Sequence, residues 1–157
     1  MPKITPFLWF DKEAEKAAKF YTSVFKNSKI HRIERYPEGS PAPAGTVMTV
    51  NFELDGLAFT ALNGGPLFKF NEAVSFVVNC DTQEEVDDFW TKLSQGGTEV
   101  QCGWLKDKFG LSWQIVPTVL LEMLQDKDAE RSKRVMQAML RMKKIDIKSL
   151  RQAYDQE

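Results

Sequence analysis

Apolar residues in this chain first bunch together, then spread to a helical spacing. Ile4–Phe10 is an aromatic-rich apolar run and predicts a buried strand. Behind it, Ala14, Ala17, Ala18, Tyr21, Val24 and Phe25 follow the 3.6-residue period, which predicts an amphipathic helix with one buried face. Asp11 is positioned to cap that helix, and Glu13 and Glu15 suit its positive end. Asn27-Ser28 ends it. Lys29–Tyr36 reads as a more polar strand, nearer an edge. Pro37–Gly45 (PEGSPAPAG) is too rich in proline and glycine for regular structure and serves as a connector or a lid. Thr46–Leu54 and Leu57–Leu62 then flank Asp55-Gly56, a two-residue hairpin signal. Asn63-Gly64-Gly65-Pro66 breaks the chain.

The same pattern then returns. Ala73–Cys80 repeats the opening strand. Thr82 and Glu85 form a capping box for a helix whose buried stripe is Val86, Phe89, Trp90 and Leu93, and Gly96-Gly97 stops it. Thr98–Trp104 and Leu111–Val116 read as the closing strands, joined around Asp107-Lys108-Phe109-Gly110. An offset of about 69 residues lays Phe7 on Phe76, Phe20-Tyr21 on Phe89-Trp90 and Val24 on Leu93. An offset of about 54 lays Gly56-Leu57-Ala58-Phe59-Thr60 on Gly110-Leu111-Ser112-Trp113-Gln114. The chain therefore reads as one domain made of two modules, about 3–63 and 72–117, with a helical tail over 118–157. In the tail, Val119, Leu120, Met123 and Leu124 predict a short helix. Asp128 caps another with the stripe Val135, Met136, Met139 and Leu140, and Asp146 caps a last one containing Ile147, Leu150 and Tyr154. This tail repeats nothing upstream, so it packs on the modules or on a partner chain.

A chain of 157 residues buries roughly 68–70% of its unfolded surface and needs neither disulfide nor metal to fold. A hydrophobic share of 43%, a charged share of 27% and a net charge of −1 are those of a soluble globular protein, with no field to draw in nucleic acid or anionic membrane. No apolar run approaches the ~20 residues of a spanning helix, and Met1-Pro2-Lys3-Ile4 lacks a signal-peptide pattern. Cys80 and Cys102 lie in apolar strand-like contexts and read as free thiols of a cytoplasmic protein, a disulfide between them being the other reading. The mixed charges of the tail, opposite its apolar stripes, describe solvated helix faces rather than a nucleic-acid surface.

The order strand–helix–strands, given twice, resembles the vicinal oxygen chelate superfamily, which includes glyoxalase I, bleomycin-resistance proteins and extradiol dioxygenases. Within it the chain is most similar to the PhnB-like branch, whose members often carry the label demethylubiquinone methyltransferase. Pro6-Phe7-Leu8-Trp9-Phe10, Phe20-Tyr21-x-x-Val24-Phe25 and Asp107-Lys108-Phe109-Gly110-Leu111-Ser112-Trp113-Gln114 carry the resemblance, with Met139-Leu140-x-Met142-Lys143-Lys144-Ile145-Asp146 in the tail. It implies an α+β fold of paired βαβββ modules with C-terminal helices. It also implies four positions, on the first and last strand of each module, where enzymes of the superfamily hold a divalent metal through His, Glu or Gln. Here those positions are Pro6, Thr60, Ser75 and Gln114, or Thr5 and Ala61 if the register slips by one. Proline offers no side-chain donor, and hydroxyls and an amide are weak ligands for zinc or nickel. No metal and no other cofactor is expected. The resemblance further implies a homodimer, because superfamily modules commonly pair across chains and the apolar tail helices need cover.

The remaining chemistry is that of a binding surface. Gln114 both donates and accepts, so it anchors a ligand or bonds a neighbouring strand. If Thr60 and Gln114 face a cavity, strand alternation turns Phe59 and Trp113 under the helices. Trp104, near the end of its strand, is the aromatic for the cavity mouth. Asn51 and Glu53 share one strand face and supply polar contacts, Glu53 alternatively pairing with a lysine in solvent. Asp107 reads as a turn residue bonding its own backbone. Neither a Ser-His-Asp set nor a dinucleotide fingerprint is present, and a doubly wound methyltransferase needs a Gly-rich strand-to-helix turn that is missing. The expectation is a metal-independent binder of a small, partly aromatic or amphipathic molecule. A metal-dependent enzyme using Gln114 and Glu53, or a structural dimer, are the alternatives.

Overall fold

The structure, a computed structural model, describes residues 2–156. The chain divides into two compact units, Met1–Phe70 and Asn71–Glu157. In the first, β1 (Phe7–Phe10), α1 (Ala14–Val24), β2 (Lys29–Arg35), β3 (Val47–Leu54) and β4 (Leu57–Asn63) form a sheet in the order β1-β4-β3-β2. Only the β1–β4 pair is parallel. The second unit repeats this with β5 (Ser75–Cys80), α2 (Gln83–Ser94), β6 (Thr98–Glu99), β7 (Trp104–Lys106) and β8 (Ser112–Pro117) in the order β5-β8-β7-β6. The architecture is α+β, two four-stranded mixed sheets with C-terminal helices.

Each helix covers one face of its own sheet. Beneath α1 lie Leu8, Phe10, Val50, Phe52, Leu54, Phe59 and Ala61, all buried, with Phe52 stacked between Tyr21 and Phe59 at ring separations of 6.4 and 5.4 Å. Beneath α2, Leu105, Trp113 and Ile115 meet Val86, Trp90 and Leu93. These positions alternate along the strands, as a half-buried sheet requires. Phe25 and Phe89 of the predicted stripes are only half-buried.

The two helices start differently. Thr82 Oγ1 accepts from the Glu85 amide at 3.2 Å, as the capping box predicts. Asp11 does not cap α1. The Ala14 amide donates instead to Asn63 Oδ1 at 2.8 Å, a residue at the end of β4 whose amide nitrogen also reaches Val47 O at 3.2 Å. A free helical amide needs an acceptor, and here a neighbouring strand supplies it. The strand β1 also begins later than expected, at Phe7, leaving Ile4 exposed.

Between β3 and β4, Asp55 and Gly56 take positive φ values of 48° and 81°, the conformation of a tight two-residue hairpin. In the second unit Thr98–Trp104 is not one strand. β6 is two residues long, and the chain loops away through Cys102 (φ 61°) and Gly103 (φ 84°) before β7. The tail explains the break. Cys102 and Gly103 donate their amides to Met142 O and Lys143 O, both at 2.8 Å, rather than continuing a sheet ladder. A Cβ on Gly103 would stand 2.9 Å from Ile115 O, so the close approach admits only glycine.

The tail comprises α3 (Thr118–Leu124), α4 (Ala129–Leu140) and α5 (Ile147–Asp155). It forms a core of Leu120, Met123, Val135, Ile145 and Leu150 with Val116 of β8. Asp128 caps α4 and Asp146 caps α5, as expected. The predicted α4 stripe is corrected in part: Val135 is buried, but Met136 and Leu140 are 40% and 57% exposed, and Ala138 turns inward with Met139. Gln83 latches the tail onto α2, donating to Ile145 O at 3.0 Å and accepting from the Ile147 amide at 2.8 Å. Beside it, Lys144 lies 2.8 Å from Asp87 and, with Gln83, holds that carboxyl below its usual range. Among the described residues no helix is long and apolar enough to cross a membrane.

Candidate open sheet faces

The face of each sheet turned away from its helix carries the candidate site residues. In the first unit, Asn51 stands opposite Thr60 in the β3–β4 register, and Phe7 opposite Thr60 in β1–β4. Thr60 Oγ1 donates to Asn51 Oδ1 at 2.9 Å, and Phe7 is 58% exposed. One pair along, Glu53 is 2.6 Å from His31 Nε2. His31 sits where the β2 register slips between Ile30 and Arg32, and such a bulge re-aims a side chain. The lysine expected beside Glu53 is thus replaced by an imidazole. Spacing along the sequence does not pair the two, because His31 lies on another strand; only the register, which a bulge obscures, brings them together.

In the second unit, β8 presents Gln114 between Val77 of β5 and Trp104 of β7. Gln114 Nε2 donates to Ser75 Oγ at 2.9 Å. Among the described residues Gln114 Oε1 has no hydrogen-bond partner, so one end of the amide is held and the other is offered. Trp104 opens β7 rather than ending a strand, but it stands beside Gln114 on the same face. Phe59 and Trp113 lie on the opposite faces, both buried under the helices.

The register also fixes the equivalent positions. Leu8 and Phe10 correspond to Val78 and Cys80 through their β4 and β8 partners, whereas Ala17, Tyr21 and Val24 correspond to Val86, Trp90 and Leu93. The strand-to-helix connection is one residue shorter in the second unit, Asp81-Thr82 against Asp11-Lys12-Glu13. The counterpart of Ser75 is therefore Thr5, and Pro6 belongs to the helix-facing row. The four metal-equivalent positions become Thr5, Thr60, Ser75 and Gln114. That set holds three hydroxyls and an amide, with the Thr60 hydroxyl and the Gln114 nitrogen already engaged. A divalent metal of the superfamily type does not fit these donors. Among the described residues no group of three His, Cys, Asp or Glu side chains could hold one elsewhere.

Asp107 is a turn residue, as expected, and more. It is 3% exposed, and its Oδ1 accepts from the amides of Phe109 and Leu111 at 2.8 and 3.1 Å. Its Oδ2 accepts from Trp113 Nε1 at 2.9 Å. The carboxylate is consumed by structure. Both cysteines are free. Burial, with Glu85 and Asp81 nearby, pushes the Cys80 thiol up to about 12, which removes it as a nucleophile near neutral pH.

Residues 2–116 match the family model described as 3-demethylubiquinone-9 3-methyltransferase. A putative 3-demethylubiquinone-9 3-methyltransferase, PhnB protein, from Bacillus cereus is 40% identical, with a TM-score of 0.68 over 74% of this chain and 99% of that one. The chain belongs to this PhnB-like family. Protein PA1353 from Pseudomonas aeruginosa (20% identity, TM-score 0.61, 74% and 98% of the two chains) shares the fold. So does the fosfomycin resistance protein FosX from Listeria monocytogenes (14%, 0.52, 74% and 93%). These two neighbours show the fold that the motifs imply. A comparison with curated proteins gave no match. The family match ends where the tail begins.

Proposed function

We propose that this PhnB-like chain is a metal-independent binder of a small, partly aromatic or amphipathic molecule. The observation that carries this reading is the open face of the second sheet, where Trp104 and the half-exposed Val77 flank a glutamine with one free polar end. An indole and an aliphatic side chain beside an amide suit a ring bearing a hydroxyl or carbonyl. Ser75 orients the amide. On the first sheet Thr60 and Asn51 form the corresponding polar pair beside Phe7, with Glu53 next to them. A metal-dependent enzyme using Gln114 and Glu53 is the poorer reading, because His31 already occupies Glu53. We further propose a homodimer, supported by apolar side chains left exposed at Phe7, Leu67, Phe68 and Val77, and a cytoplasmic location, supported by two free thiols.

A thermal-shift and calorimetric screen with aromatic and amphipathic metabolites and antibiotics tests the binding. A ligand at 100 times its dissociation constant adds about 2.7 kcal/mol of stability. Gln114→Ala should weaken binding about two- to tenfold without unfolding the chain. A panel member that donates methyl groups tests the activity in the family's name. Stoichiometric zinc or nickel in protein purified without chelator would overturn the metal-independent reading, as would a screen with no stabilising compound. Light scattering after size exclusion gives a dimer mass, and a monomer at micromolar concentration removes the dimer.

A further inference from the structure

The groove between α4 and α5 has a lining of one charge sign. Arg134 and Gln137 face it from α4, with Arg141 at that helix's C-cap, and Ser149 and Gln152 from α5, with Gln156 at its C-cap, around about 290 Å³. At about 30 Å³ per water, that is room for a molecule of roughly ten waters' volume. No carboxylate among its described lining residues balances the two guanidinium groups. Two other cations of the tail are engaged outside the groove: Arg131 lies near Asp128 and over the Tyr154 ring, and Lys144 meets Asp87.

The two arginines are held differently. Arg134 donates from Nε to Ala153 O at 2.8 Å and from Nη2 to Tyr154 O at 3.1 Å, so the carbonyl end of α5 fixes its fork in place. The guanidinium of Arg141, seven residues further along at the helix cap and about 10 Å away on its axis, has no partner among the described residues. A rigid cation and a free one then sit along one groove, with a hydroxyl and amide groups that can donate between them.

We propose that the α4–α5 groove binds a compact oxyanion carrying two carboxylate or phosphate groups, one for each arginine. The Arg141 fork matches the paired oxygens of one group, the N–H groups of Arg134 left over from its two carbonyl bonds donate to the other, and Ser149 and the glutamine amides donate to the remaining oxygens. The groove lies beyond residue 116, outside the family match, so this inference stands apart from the function proposed for the sheets.

Calorimetry on the full chain at low ionic strength, titrated with citrate, pyrophosphate and inorganic phosphate, tests it. The expected result is saturable binding, one per chain, of citrate or pyrophosphate ahead of inorganic phosphate. Citrate ahead identifies a carboxylate ligand and pyrophosphate ahead a phosphate ligand. Arg141→Gln should weaken binding at least about tenfold, while Lys148→Gln, which removes the same charge outside the groove, leaves it unchanged. Arg134→Gln also loosens α5, so the deciding variant is Arg141→Gln with its melting curve unchanged. The proposal is overturned if no probe gives saturable heat or if both charge variants lose affinity equally. It is likewise overturned if an acidic peptide or an RNA oligonucleotide binds while the small anions do not.

Discussion

At matching places on their open faces, the first sheet has Phe7, Thr60 and Asn51 where the second has Val77, Gln114 and Trp104. Beneath the helices the same comparison gives Leu8 for Val78, Phe59 for Trp113, Ala61 for Ile115 and Phe52 for Leu105. The helix-facing row keeps its apolar character and trades volume between neighbours, since a close-packed interior is sensitive to size and intolerant of unpaired polar atoms. The open row keeps nothing but its exposure. The change of chemical character between the modules is thus concentrated on the open face, the face proposed to meet a ligand.

The hairpins are the widest point of divergence and offer the largest test. Asp55 in the first module is a turn residue whose left-handed φ is tolerated by asparagine as well. Asp107 in the second is a buried carboxylate binding three N–H groups. Asp107→Ala leaves those donors without an acceptor and should cost about 3–5 kcal/mol in urea denaturation. Asp55→Asn should stay within about 0.5 kcal/mol of the parent. Equal losses would mean that the two turns do the same job despite their different chemistry.

Helix starts give a smaller contrast. Asn63→Ala removes the acceptor of the Ala14 amide and a bond to Val47 O, and should cost about 1–2 kcal/mol; Thr82→Ala should cost about 1 kcal/mol. If Asp11→Ala destabilised the chain as much as Asn63→Ala, the long-range cap would be wrong and the local one restored.

The contrast between those two caps also shows what a sequence can reveal. Thr82 lies three residues before Glu85, and local spacing is enough to read the capping box. The acceptor for Ala14 comes from 49 positions away, and no local pattern announces it. The same division runs through the candidate site. The 54-residue match is internal to one hairpin in each half, so Thr60 and Gln114 are legible, and strand alternation then turns Phe59 and Trp113 inward correctly. The 69-residue match spans a strand and a helix joined by loops of unequal length. It therefore aligns the helices and misaligns the strands by one residue, exchanging Pro6 for Thr5. The bulge hides His31 from Glu53, and the interruption of the predicted Thr98–Trp104 strand is invisible because its cause, the carbonyls of Met142 and Lys143, lies in the tail. Periodicity reports which side a residue faces; it does not report what arrives from elsewhere in the chain.

One position sharpens the comparison with the smallest expected effect. Ser112 stands opposite Ser75 in β5 and Lys106 in β7, and the first module has Ala58 in its place. The Ser112 hydroxyl is buried and, among the described residues, without a hydrogen-bond partner. An unmet buried hydroxyl carries a desolvation cost with no return, so Ser112→Ala should leave stability unchanged or raise it by up to about 1 kcal/mol. The variant makes the second module like the first at this point without touching Gln114, Ser75 or Trp104. Ligand affinity should then be unaffected, because the hydroxyl is not presented at the surface of the sheet. A loss of more than about 1 kcal/mol of stability would show that the hydroxyl is satisfied in solution by a buried water. A loss of affinity with stability intact would bring Ser112, which shares its strand face with Gln114, into the proposed binding surface.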